Sequence, residues 1–89
     1  MHVDLTVHIW KEGNQYVAHA MPLDVMSSGP SQEAAREALD EAVRAFLLTA
    51  ADAGTLEEVL EECGYERRGD AWVSPDFVAL ERRELAIAV

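Results

Sequence analysis

The chain has 89 residues, 49% of them hydrophobic, with 17 acidic against 7 basic side chains and a formal net charge of −10. That length holds one domain, residues 1–89, with a core of modest depth, and the hydrophobic share is too high for a disordered chain. A surface this acidic repels phosphate backbones, which disfavours sequence-independent nucleic-acid binding, and it attracts basic proteins.

His2 to Trp10 alternates, with Val3, Leu5, Val7 and Ile9 on one face and His2, Asp4, Thr6 and His8 on the other. A period of two with β-branched residues predicts a half-buried strand. Lys11-Glu12-Gly13-Asn14 reads as a turn, because Gly and Asn tolerate positive φ. Gln15 to Met21 is the return strand, and Pro22, which has no N–H to give a ladder, ends it. Closing the hairpin on Trp10 and Gln15 sets Ile9 opposite Tyr16, Val7 opposite Ala18 and Leu5 opposite Ala20, all on one face. Leu23 to Ser28 reads as a third strand, with Leu23 and Val25 on the same side.

Gly29-Pro30 breaks the chain, and Ser31 is suited to cap a helix. Ala35, Leu39, Ala42, Val43, Phe46 and Ala50 then recur at helical spacing, flanked by Ala38 and Leu47. This predicts a helix from Ser31 to Ala53 lying across a sheet, with Arg36, Glu37, Asp40, Glu41 and Arg44 turned to water. The expected core is Leu5, Val7, Ile9, Leu39, Val43 and Phe46. Gly54 ends the helix. Thr55-Leu56-Glu57-Glu58 has the spacing of a capping box, and Leu56, Val59, Leu60 and Cys63 form one face of a short helix stopped by Gly64. Tyr65 to Val73 predicts a small hairpin around Arg68-Gly69-Asp70, anchored by Trp72. Leu85 to Val89 finishes the chain as an apolar strand that needs a partner, within the chain or on a second subunit. Small size and this strand together predict a homo-oligomer.

No stretch approaches the roughly 18 apolar residues of a membrane span, and no basic-then-apolar leader opens the chain. A cytoplasmic protein that does not engage membranes is therefore expected. Cys63, the single cysteine, allows neither an internal disulfide nor a cysteine metal cluster, and its position predicts a buried, inert thiol. His8 and His19 are the candidate metal ligands: in the expected register Thr6 lies opposite His19, His8 is one diagonal step away, and Asp4 joins only with added twist. Glu33, Glu37, Asp40 and Glu41, and Glu57, Glu58, Glu61 and Glu62, fall on helix faces that meet water rather than in a cleft that would raise a pKa. Arg67, Arg68, Arg82 and Arg83 sit among Glu66, Asp70, Glu81 and Glu84, which favours charge compensation over nucleic-acid contact. No nucleophile elbow, catalytic triad or phosphate-binding glycine loop is present, so no cofactor and no enzymatic activity are expected.

Glu12-Gly13, the run Tyr16-Val17-Ala18, Pro22, Gly29, Ser31, and then Glu33, Ala34, Ala38, Glu41 and Ala42 resemble the HicB family of antitoxin domains. The resemblance covers less than half the chain. It implies an α+β fold: an antiparallel three- to four-stranded sheet with one long helix across a face, partly ribonuclease H-like, here with a short second helix and C-terminal strands. It also implies a partner, a small basic HicA-like ribonuclease toxin blocked by protein–protein contact. Two departures stand out. Met21-Pro22-Leu23-Asp24-Val25 lacks the family's Pro-Gly step, and Tyr65 to Val89 reads as strands rather than as a DNA-binding extension. A stand-alone HicB-like domain without direct nucleic-acid binding is expected. The alternative is an orphan metal- or ligand-binding oligomeric protein that uses His8 and His19.

Overall fold

Gly13 and Asn14 alone separate the paired residues Glu12 and Gln15, and Gly13 takes the left-handed φ of +57° that a two-residue turn requires. The computed structural model describes residues 1–89. Its elements are β1 (His2–Val3), β2 (Thr6–Glu12), β3 (Gln15–Met21), β4 (Val25–Gly29), α1 (Gln32–Asp52), α2 (Leu56–Glu62), β5 (Glu66–Arg68) and β6 (Ala71–Val73). The fold is α+β. One sheet is antiparallel in the order β2-β3-β4; the other is mixed, in the order β1-β6-β5.

The hairpin closes two residues closer to the turn than Trp10 and Gln15. Ile9 faces Ala18, Val7 faces Ala20, and His8 faces His19. A slip of two leaves every side chain on its expected face and changes only the partners. The tight Gly13-Asn14 turn draws Lys11 and Glu12 into the ladder, where a four-residue loop was expected. The third strand begins at Val25 rather than Leu23. Leu23 is buried in the connecting turn, where Asp24 adopts φ +61°.

The expected first strand is divided at Asp4-Leu5, because its two ends have different neighbours. β2 pairs with β3, whereas β1 runs parallel to β6, with His2 opposite Ala71 and Val3 opposite Trp72. Asp4 holds the division in place. Its backbone N–H donates to the Trp72 carbonyl at 3.3 Å, and its carbonyl accepts from the Tyr65 hydroxyl at 2.7 Å. Its carboxylate accepts from the Ser74 backbone N–H at 2.6 Å and from the Ser74 hydroxyl at 3.0 Å. Burial, with the Asp4 carboxylate and then Cys63 adding to it, pushes the Tyr65 hydroxyl up to about 12.

Ser31 caps α1, its hydroxyl accepting from the Ala34 N–H at 3.0 Å. The helix packs on β3 and β4. Ala18 and Ala20 of β3 and Ala35 of α1 are fully buried, and these small side chains let helix and strand approach closely enough for Leu39 and Val43 to reach the core. Gly29 is as constrained: a Cβ there would lie 2.8 Å from the Ala34 Cβ and 2.8 Å from the Ala35 nitrogen. Leu60, Tyr65 and Trp72 complete the core from the C-terminal half.

Several expectations need correction. Leu5 and Ile9 are half-buried against the core, but Val7 is 40% exposed and Phe46 37% exposed. α1 sits over the middle and far strands, so Val7 on β2 is only partly sheltered, and Phe46 lies at the side of the helix facing α2. Thr55 makes no capping bond to its own helix; its hydroxyl donates instead to the Ala50 carbonyl at 3.3 Å, joining the two helices. Cys63 is half-buried. Leu85 to Val89 forms no strand, and residues 75–89 are exposed throughout. No helix is long and apolar enough to cross a membrane.

Two outcomes follow from this packing. Leu39→Ala is expected to cost about 2–5 kcal/mol, the range for emptying a filled core site, and Phe46→Ala about half that or less. Urea unfolding monitored by circular dichroism would separate the two, and equal costs would contradict the packing. The hydroxyl of Tyr65 keeps its proton longer when folded than when unfolded. The stability this contributes is present below pH 10 and is lost as pH rises toward 12, by about 2 kcal/mol at most. Tyr65→Phe should lower stability at neutral pH by about 1 kcal/mol and remove that alkaline loss.

Candidate interaction surface

The face of the antiparallel sheet turned away from α1 carries His8, Trp10, Val17, His19, Met26 and Ser28. In one cross-strand row His8 faces His19 and His19 faces Met26. In the next, Trp10 faces Val17 and Val17 faces Ser28. The rings form a cluster, with the His8 and Trp10 centroids 5.2 Å apart and those of Trp10 and His19 6.2 Å apart, edge to face. Trp10 also donates its indole N–H to Glu12 at 2.9 Å.

His8 and His19 therefore stand closer than the sequence register implied, as direct rather than diagonal neighbours. The closing of the hairpin at Glu12 and Gln15 brings them together. Asp4 does not join them. Asp4 is committed to Ser74, and the carboxylate nearest His19 is Asp24, whose Oδ1 lies 2.5 Å from Nε2 of that ring. That contact engages one of the two ring nitrogens a metal could use. No three His, Cys, Asp or Glu side chains are grouped to hold a metal ion.

The two helices carry a different chemistry. Glu33, Glu37, Asp40 and Glu41 are exposed on α1, as are Glu57, Glu58, Glu61 and Glu62 on α2. Of these eight, only Glu57 makes an ion pair, with Arg67 at 3.3 Å. Arg36, one of two arginines on α1, donates instead to the Gln32 side chain. Glu33 and Glu37, Glu37 and Glu41, Glu57 and Glu61, and Glu58 and Glu62 each stand four residues apart, where like charges repel along a helix. Between the helices runs a shallow apolar groove lined by Ala42, Phe46, Thr49, Ala53 and Val59. The sequence placed the carboxylates on the water-facing sides. It did not reveal the groove, which depends on how α2 folds back beneath α1.

No protein-family model, curated protein or solved structure matches this chain.

A two-histidine site with one ring already bonded offers too few ligands for tight zinc binding. Zinc at about tenfold excess is expected to leave the melting temperature of the wild type and of His8→Ala equally unmoved. A rise seen only in the wild type would restore the metal-binding alternative.

Proposed function

We propose that this chain is a non-enzymatic, antitoxin-like binding module that neutralises a small basic, HicA-like ribonuclease by covering it. The observation that carries this reading is the run of exposed carboxylates on α1 and α2 with a single ion-pair partner among them. Like charges four residues apart cost each helix a few tenths of a kcal/mol per pair, and a basic partner would convert that repulsion into attraction. The apolar groove between the same helices offers the uncharged contact that charge steering alone does not supply. The HicB-like residues from Glu12 to Ala42 support the same partner class. A cytoplasmic site of action belongs to this proposal.

The test is titration of a HicA-like ribonuclease encoded beside this chain, read both as binding and as loss of RNA cleavage. Binding should weaken at least tenfold between about 50 and 500 mM salt, as screening shortens the reach of exposed charges. Glu37→Lys combined with Glu41→Lys should reduce the association rate about tenfold while leaving the fold intact. Undiminished cleavage at saturating protein would overturn the proposal.

A further inference from the structure

The exposed area is large for a chain of this mass. The protein exposes 6786 Å², whereas a folded monomer of 9.8 kDa exposes about 5,200 Å². Its radius of gyration is 15.4 Å, against about 12 Å for a compact chain of this length. The C-terminal segment is exposed throughout. Residues 75–89 have no regular structure, and Val78, Leu80, Leu85, Ile87 and Val89 are all exposed, Ile87 at 75%.

An unused strand edge stands at the other end of the chain. β2 is the outer strand of its sheet and β1 the outer strand of the other, so the chain from His2 to Glu12 is an edge in both. Such an edge offers a row of backbone donors and acceptors to any added strand. Beside it, Val3 and Leu5 line an open groove with Val43 and Leu47, and the exposed Val7 follows along the same strand.

We propose that Leu85–Val89 of one copy adds as an outer strand to β2 of a second copy, and that the exchange is reciprocal. In an extended strand Leu85, Ile87 and Val89 share one face, and Ala86 and Ala88 share the other. The bulky face covers Val7 and the neighbouring groove, and the alanines face outward. Asp40 and Arg44 both border the groove, so its rim carries one charge of each sign and the contact proposed here is apolar. Every copy carries both the strand and the edge, so mutual exchange closes as a two-fold dimer. If each copy buries its excess, the pair covers about 3,200 Å², within the range of obligate homodimers. The inference does not depend on the antitoxin-like reading and needs no second protein to test.

Light scattering at tens of micromolar should give the mass of a dimer. Ile87→Asp, in a side chain that touches no core residue, should weaken dimerisation at least tenfold without altering the circular dichroism spectrum. In a Cys63→Ser background, mixing chains that carry Val7→Cys with chains that carry Ile87→Cys should yield a disulfide-linked pair under mild oxidation. A monomeric wild type overturns the proposal. So does a dimer insensitive to Ile87→Asp, a mixture that fails to cross-link, or a doubly substituted chain that links only within itself.

Discussion

Asp4 is the residue on which the two halves of this protein depend. The N-terminal strand serves both sheets, and a single continuous strand would have to keep one set of neighbours along its length. At Asp4 the neighbour changes. The main chain bonds to Trp72 and Tyr65, and the carboxylate bonds to Ser74, so one residue fastens the start of the chain to the small C-terminal hairpin. An acceptor that takes two hydrogen bonds as an anion is worth more than a neutral one. Tyr65 and Trp72 are thereby held where they close the core beneath Leu60. Without this junction the hairpin of three-residue strands would have little to stand on, since isolated two-stranded ribbons are marginal in water.

The local elements were legible because each carries its own signal. Ser31 caps, Gly54 and Gly64 stop, Gly13-Asn14 turns, and the apolar spacing separates helix from strand. What was illegible depends on contacts distant in sequence. Nothing in the alternation of His2 to Trp10 marks Asp4 as a junction, because its partners lie some seventy residues further on. The parallel pairing of β1 with β6 is likewise invisible to periodicity. The hairpin register missed by two because turn length, not hydrophobic pattern, decides among registers that keep the same faces. Phe46 and Val7 are more exposed than expected because their spacing fixes a face of the helix or strand, not how far the opposing layer extends.

The candidate surface was partly legible in the same way. Periodicity assigned the carboxylates to the water-facing sides of both helices, and they are there. It also brought His8 and His19 to one face, though not to direct opposition. Whether a third ligand stood nearby turned on the long-range engagement of Asp4 and on the turn that sets Asp24 against His19. His8 on β2 and His19 on β3 meet across the hairpin and form an aromatic cluster with Trp10.

Self-association of a chain with net charge −10 raises an electrostatic objection, since each copy repels the next. Geometry answers it. The unpaired carboxylates lie on the outer faces of α1 and α2, whereas the open edge lies in the plane of the sheets, and the segment proposed to meet it is apolar from Leu85 to Val89. Exposed charges further apart than about 8 Å are largely screened at physiological salt, so repulsion between distant helix faces costs little beside the burial of apolar area. The arrangement also separates the two surfaces. A second copy at the strand edge covers Val43 and Leu47 of α1 and reaches Asp40, and leaves Glu33, Glu37 and Glu41 of α1 and the carboxylates of α2 to a basic partner, so assembly and capture share little more than Asp40.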